Sequence, residues 1–120
     1  MNAPPIEIRD ATAADLATLS RAGEKPPPDA TLVVLFHGEA AGWGRLVRDA
    51  SCATLDLVIA RPHRGLGLGK MLLAALEARA EAAGAEEAVV SPRDTAGFEA
   101  HGLRGRGYEA RDGAFVRRLL

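Results

Sequence analysis

The run Arg64–Lys70 has three glycines at alternate positions and a cation at each end. It follows an apolar segment and precedes one with helical spacing of its apolar residues. A glycine-rich turn of this kind directs several backbone N–H groups to one point, where the dipole of the following helix adds partial positive charge. The run therefore predicts a phosphate-binding site, and the alternative is a plain strand-to-helix turn.

Spacing separates the phosphate motifs that this run could represent. A P-loop requires glycine, four residues and Gly-Lys-Ser/Thr, but Arg64 stands at the first glycine and Met71 at the hydroxyl position. The dinucleotide pattern G-x-G-x-x-G has Lys70 where its third glycine belongs. A third pattern, Arg/Gln-x-x-Gly-x-Gly/Ala, is met by Arg64, Gly67 and Gly69.

The elements that must position this run can be predicted from apolar periodicity. Strands are predicted at 6–8, 31–36, 40–47, 52–60, 87–90, 108–110 and 114–117, and helices at 12–22, 67–83 and 95–103. Thr12 and Asp15 have the spacing of a capping box, and Asp112-Gly113 is typical of a hairpin turn. The element order is therefore β-α-β-β-β-α-β-α-β-β.

The segment Leu57–Leu72 resembles the strand, turn and helix of the GNAT superfamily of N-acetyltransferases, and the element order also resembles that fold. The resemblance implies an α+β fold with a mixed, mostly antiparallel sheet of six to seven strands. This sheet would be flanked by helices and splayed near Ile59 and Val90, at the acyl-CoA site. The whole chain, 1–120, is expected to form one such domain.

The same resemblance implies acetyl-CoA as cosubstrate and no metal. The backbone of Val58, Ile59 and Ala60 would pair with the pantetheine arm, like an added strand. The amides from Arg64 to Lys70 would hold the pyrophosphate, so the implied cofactor-binding residues of this turn are Arg64, Gly65, Leu66, Gly67, Leu68, Gly69 and Lys70. The resemblance adds two further cofactor-binding residues. Asp94 stands at the first position of the pattern that the family has around its last helix. Phe98 would contact the cofactor, with packing in the core as the alternative.

A general base is the first catalytic requirement for acyl transfer to an amine. The family often places a carboxylate on the strand before the glycine turn, predicted here at 52–60, at a position that matches Ala53. Asp56 is the only acid on the strand, and it would share a face with Thr54 and Val58. We expect Asp56 to be the base, with pairing to an arginine as the alternative, while the fallback candidates are His37, Glu39 and His63.

A general acid and an oxyanion donor complete the expected chemistry. The amide near Ile59 can donate to the oxyanion. The family's acid is commonly a tyrosine of the last helix, and counting from Asp94 places His101 at that position, whereas counting back from Gly107-Tyr108 places Leu103 there. We expect His101 to protonate the departing thiolate.

Composition limits which partners and which cellular location the protein can have. Fifteen basic and sixteen acidic residues give a formal net charge of −1, so no bulk field would attract nucleic acid or an anionic membrane. The single Cys52 cannot form an internal disulfide, and no stretch approaches membrane-spanning length. We expect a cytoplasmic enzyme acting on a small-molecule or peptide amine, and possible homodimerisation. An acyl-CoA-binding module without turnover is the main alternative.

Overall fold

The computed structural model describes residues 5–91 and 100–119, with side chains for 5–91 and 103–119. These residues form strands β1 (Ile6–Asp10), β2 (Leu32–Phe36), β3 (Glu39–Asp49), β4 (Cys52–Ile59), β5 (Glu87–Val90), β6 (Glu109–Arg111) and β7 (Ala114–Arg118). The helices of the described residues are α1 (Ala13–Arg21), α2 (Leu68–Ala82) and α3 (Ala100–Gly105), and a 3₁₀ turn spans Arg61–His63. The predicted element order is confirmed, apart from this additional turn, while residues 95–99 of the third predicted helix lie outside the described residues.

The seven strands form one sheet in the order β1-β2-β3-β4-β5-β7-β6. Neighbouring strands are antiparallel except β4 and β5, which are parallel and joined through α2. Such a connection needs a helix because parallel strands cannot be joined by a tight turn. The predicted mixed, mostly antiparallel sheet is therefore confirmed.

Helix α2 covers one face of the sheet. Its fully buried leucines pack with Leu55, Leu57 and Ile59 of β4 in one hydrophobic cluster. A Cβ atom at Gly44 would lie 2.8 Å from the Cδ1 atom of Leu76, so glycine at this position of β3 lets α2 approach the sheet closely. Burial of this apolar face fixes where α2 begins relative to the end of β4.

Helix α1 packs on the opposite face, with Leu19 in a second cluster that contains Val33 and Trp43. Its start has the predicted capping box: the Thr12 hydroxyl accepts from the Asp15 amide at 3.2 Å, and the Asp15 carboxylate accepts from the Thr12 amide at 3.1 Å. Burial would raise the pKa of Asp15, but hydrogen bonds from Thr12 and Arg9 outweigh it and lower that pKa.

A buried carboxylate on α2 connects this helix to the C-terminal strands. Glu77 accepts hydrogen bonds from the Tyr108 hydroxyl at 2.7 Å and from Arg106, and forms an ion pair with Arg117 at 3.0 Å. Burial alone would raise the pKa of Glu77, but these three donors lower it. Burial and the adjacent carboxylate raise the pKa of Tyr108. The network is a long-range feature that the sequence analysis did not predict.

Candidate functional site

The parallel pairing of β4 with β5 stops halfway along β4. The paired positions run from Cys52 opposite Glu87 to Leu55 opposite Val90. The remaining residues of β4, 56–59, pair with β3 on one side and, among the described residues, with no strand on the other. The sheet is thus open beside the second half of β4, as the splay predicted near Ile59 and Val90 requires.

The register of β3 and β4 decides which backbone groups face this opening. The Ala60 N–H donates to the Ala41 carbonyl at 2.8 Å, so Ala60 bonds toward β3. Because such bonds alternate along an antiparallel pair, Val58 also bonds toward β3, while Leu57 and Ile59 direct their N–H and C=O groups to the open edge. Of the three residues predicted to pair with the cofactor, only Ile59 has this direction, and Leu57 was not predicted.

The glycine turn follows the open edge of β4 after the short 3₁₀ turn Arg61–His63. Gly65 and Gly67 have φ angles of +84° and +81°, a left-handed backbone that favours glycine. Gly67 is the N-cap of α2, and the first amide that donates back into the helix is that of Met71, to the Gly67 carbonyl at 3.4 Å. Over the described part of the chain, no amide from Gly65 to Lys70 has a hydrogen-bond acceptor.

The surroundings of these amides fit an anionic group. A Cβ atom built on Gly65 or Gly67 would meet nothing within 4 Å, so space remains in front of the turn. Leu66 and Lys70 are exposed, whereas the side chain of Leu68 is buried in the core and anchors the helix N-terminus. The amides of residues 65–70, which lack an acceptor among the described residues, lead into the 15-residue helix α2 and are suited to a pyrophosphate.

Arg64, at the start of the turn, is bound to the open strand edge. Its Nε donates to the Ile59 carbonyl at 2.9 Å. This bond joins the two parts of the candidate site, because Ile59 belongs to the open edge and Arg64 directly precedes the unpaired amides.

Asp56 lies on the face of β4 opposite α2, together with Thr54 and Val58, as predicted. Its side chain is 17 % exposed, and its Oδ2 atom is 3.9 Å from Nη1 of Arg45, which also donates from Nε to Asp29 at 3.1 Å. The arginine pairing considered as an alternative is therefore present. It places the Arg45 cation beside the Asp56 carboxylate.

Ala53, where the resemblance would place a carboxylate, has no exposed surface and faces the α2 core. Leu103, one of the two alternatives for the acid position, is equally buried and contacts the core. His101 lies within α3, but its side chain is outside the described residues, as are Asp94 and Phe98.

Two of the three fallback bases lie against one aromatic ring. The rings of His37 and His63 both contact Phe36, with centroids 4.4 and 5.9 Å apart respectively, and Glu39 is exposed at the start of β3. Within ranges 5–91 and 100–119, no three metal-ligating side chains are placed to hold an ion. None of the helices described there has the length and apolar character needed to cross a membrane.

A family model described as the Acetyltransferase (GNAT) family matches residues 4–106. No curated protein sequence matches the chain significantly.

Three solved structures share the fold. YncA from Salmonella typhimurium, solved with its cofactor acetyl-CoA, has a TM-score of 0.74 and 16% identity over 98% of this chain and 95% of its own. A GNAT family acetyltransferase from Brucella melitensis, in complex with acetyl-CoA, has a TM-score of 0.72 and 16% identity over 94% and 87%. A phosphinothricin acetyltransferase from Sinorhizobium meliloti, also in complex with acetyl-CoA, has a TM-score of 0.71 and 18% identity over 96% and 89%.

Proposed function

Because this chain belongs to the acetyltransferase (GNAT) family, we propose that it transfers an acetyl group from acetyl-CoA to a primary amine by direct transfer in a ternary complex. The acceptor is a small molecule or a protein. One observation carries the proposal: within the described residues, the edge of β4 at Leu57 and Ile59 pairs with no strand, and the amides of residues 65–70, one short turn later, have no acceptor. This arrangement suits an extended ligand with an anionic end.

Acetyl-CoA supplies the activated thioester, and the chain supplies two binding elements. The backbone of Leu57 and Ile59 accepts the pantetheine arm as an added strand. The amides from Gly65 to Lys70, with the dipole of α2, hold the pyrophosphate. Asp94 and Phe98 are proposed as further cofactor contacts on the basis of the sequence resemblance.

The proposed base and oxyanion donor are assigned from their positions on β4. Asp56 lies on β4 immediately before the open edge, and we propose that it removes a proton from the acceptor ammonium group, directly or through water. The N–H of Ile59 faces the opening and donates to the oxyanion that develops on the carbonyl. His101 is proposed to protonate the departing thiolate. Tyr108 is unsuited to this role because it is buried and bonded to Glu77.

Domain organisation, cellular location and oligomeric state complete the proposal. We propose that residues 1–120 act as one domain in the cytoplasm, on a small-molecule or peptide amine, and that homodimers form. Gel filtration with light scattering would test the dimer, since a monomeric mass at micromolar concentration would contradict it.

Calorimetry with acetyl-CoA, free CoA and ATP tests the cofactor site. We expect both CoA species to bind, and ATP binding without CoA binding would contradict the proposal. Release of thiol, measured over a panel of amines, peptides and aminoglycosides, tests turnover. Tight CoA binding without thiol release for any acceptor would favour a binding module over an enzyme.

A further inference from the structure

The side chain of Arg64 makes one hydrogen bond within the described residues, and it is directed to the backbone. Nε donates to the Ile59 carbonyl at 2.9 Å, although the residue as a whole is exposed. No carboxylate of the described residues forms an ion pair with this guanidinium. The contact therefore uses an N–H donor of Arg64, and within the described residues no carboxylate neutralises its charge.

The peptide unit that receives this bond is held from both sides. Its carbonyl, from Ile59, accepts from Arg64, and its N–H, from Ala60, donates to the Ala41 carbonyl of β3 at 2.8 Å. This peptide unit is the last part of the open edge before the chain turns toward the unpaired amides. Because a peptide unit is planar, fixing both of its polar groups fixes its orientation.

We infer that Arg64 is a positioning residue, whose Nε–H holds the Ile59 carbonyl and thereby sets the turn 65–70 in register with the open edge of β4. This inference rests on the proposed function, in which the two parts bind one acetyl-CoA molecule. Arg64 acts through its hydrogen bond to Ile59 more than through its positive charge. A cation directed at a pyrophosphate would depend instead on the charge.

Two substitutions separate the donor from the charge. In glutamine the Nε2 atom is attached to Cδ, as Nε is in arginine, so Arg64→Gln keeps an N–H donor at the same distance from Cα and removes the charge. In lysine a methylene stands at that position and the ammonium lies one atom further out, so Arg64→Lys keeps the charge and displaces the donor. Arg64→Ala removes both.

Calorimetry of CoA binding gives the first test. We expect the Kd of Arg64→Gln to stay within about threefold of the wild type, and that of Arg64→Lys and Arg64→Ala to rise by about tenfold or more, as for loss of one well-placed hydrogen bond. Arg61→Gln is the matched control, since Arg61 is exposed three residues away and forms no ion pair with a carboxylate of the described part. A wild-type Kd for CoA in Arg64→Lys, together with a raised Kd in Arg64→Gln, would overturn the inference.

Amide NMR spectra of the ligand-free variants give a second test that does not depend on cofactor binding. We expect the signals of residues 65–70 and of Ala60 to keep their wild-type positions in Arg64→Gln and to move in Arg64→Lys. Unmoved signals in both variants would overturn the positioning role. If the wild type bound no CoA, the proposed function would fail, and these spectra would still decide the role of Arg64.

Discussion

Leu55 and Val90 form the last paired position between β4 and β5, and the backbone groups of Leu57 and Ile59 beyond it face an open edge. The cause is a difference in length: β5 has four residues, whereas β4 has eight. A parallel pair cannot extend past the end of its shorter strand, so within residues 5–91 and 100–119 the second half of β4 has no strand beside it on this side. The Leu57 groups and the Ile59 N–H are available there to a ligand that binds like a strand, while the Ile59 carbonyl accepts from Arg64.

Substitution of a turn glycine is expected to impair the phosphate site. Gly67→Ala places a methyl group in front of the unpaired amides and strains a residue with φ +81°, so the Kd for CoA should rise about tenfold or more. Gly113→Ala is the control, because Gly113 has φ +80° and equally open surroundings in the β6–β7 turn. Each variant should lose about 1 kcal/mol of unfolding free energy. Equal CoA affinity of the two variants in calorimetry would contradict this role of the turn.

Removal of the proposed base should affect turnover without affecting cofactor binding. Asp56→Asn keeps the shape of the side chain and removes its proton affinity, so kcat should fall by about 10²-fold or more while the Kd for CoA stays unchanged. The control is Asp29→Asn, because Asp29 contacts the same arginine, Arg45, and its side chain is 63 % exposed. If both variants have the same thiol-release rates and pH–rate profiles as the wild type, Asp56 is not the base.

The buried carboxylate of α2 should make stability depend on pH. The donors around Glu77 hold its pKa below the ordinary value of 4.5, so the ionised form stabilises the fold above that pH. This stabilisation is lost as pH falls through the lowered pKa of the folded state, because the proton then favours the unfolded chain. Urea unfolding of wild type and Glu77→Gln should differ by about 2 kcal/mol at pH 7, and this difference should shrink as pH falls below 4.5.

Tyr108→Phe is the companion variant for this network. It removes the 2.7 Å hydrogen bond from the hydroxyl to Glu77 but retains both arginines and the buried ring. We expect a smaller loss, about 1 kcal/mol, with part of the pH dependence retained. A pH-independent difference between the wild type and Glu77→Gln would show that the pKa of Glu77 is the same in the folded and unfolded states, and would contradict its lowering.

The features that the sequence predicted are local ones. The capping box joins Thr12 to Asp15, three residues apart, and the turn at Asp112-Gly113 joins two adjacent strands. The glycine run is also a local feature, because its residues with positive φ angles and the start of α2 lie within one short segment. In these cases, residue types at fixed spacing determine the backbone without help from distant parts of the chain.

The features that were missed depend on contacts between distant residues. Which of Leu57, Val58 and Ile59 faces the opening is set by the pairing of β4 with β3, and one residue of register reverses it. Glu77 meets Arg106 and Tyr108 only because α2 packs beside the C-terminal strands, 29 and 31 residues later. Pairing of Asp56 with an arginine was one of the two alternatives, but which arginine it is has the same origin, since Arg45 lies opposite Asp56 on the adjacent strand.

Amide hydrogen exchange at β4, with and without acetyl-CoA, tests the central claim most directly. If the cofactor binds along the open edge and at the glycine turn, protection of Leu57, Ile59 and residues 65–70 should increase, while Val58, already bonded toward β3, should change little. Bound acetyl-CoA that leaves Leu57, Ile59 and the turn amides unprotected would contradict the claim.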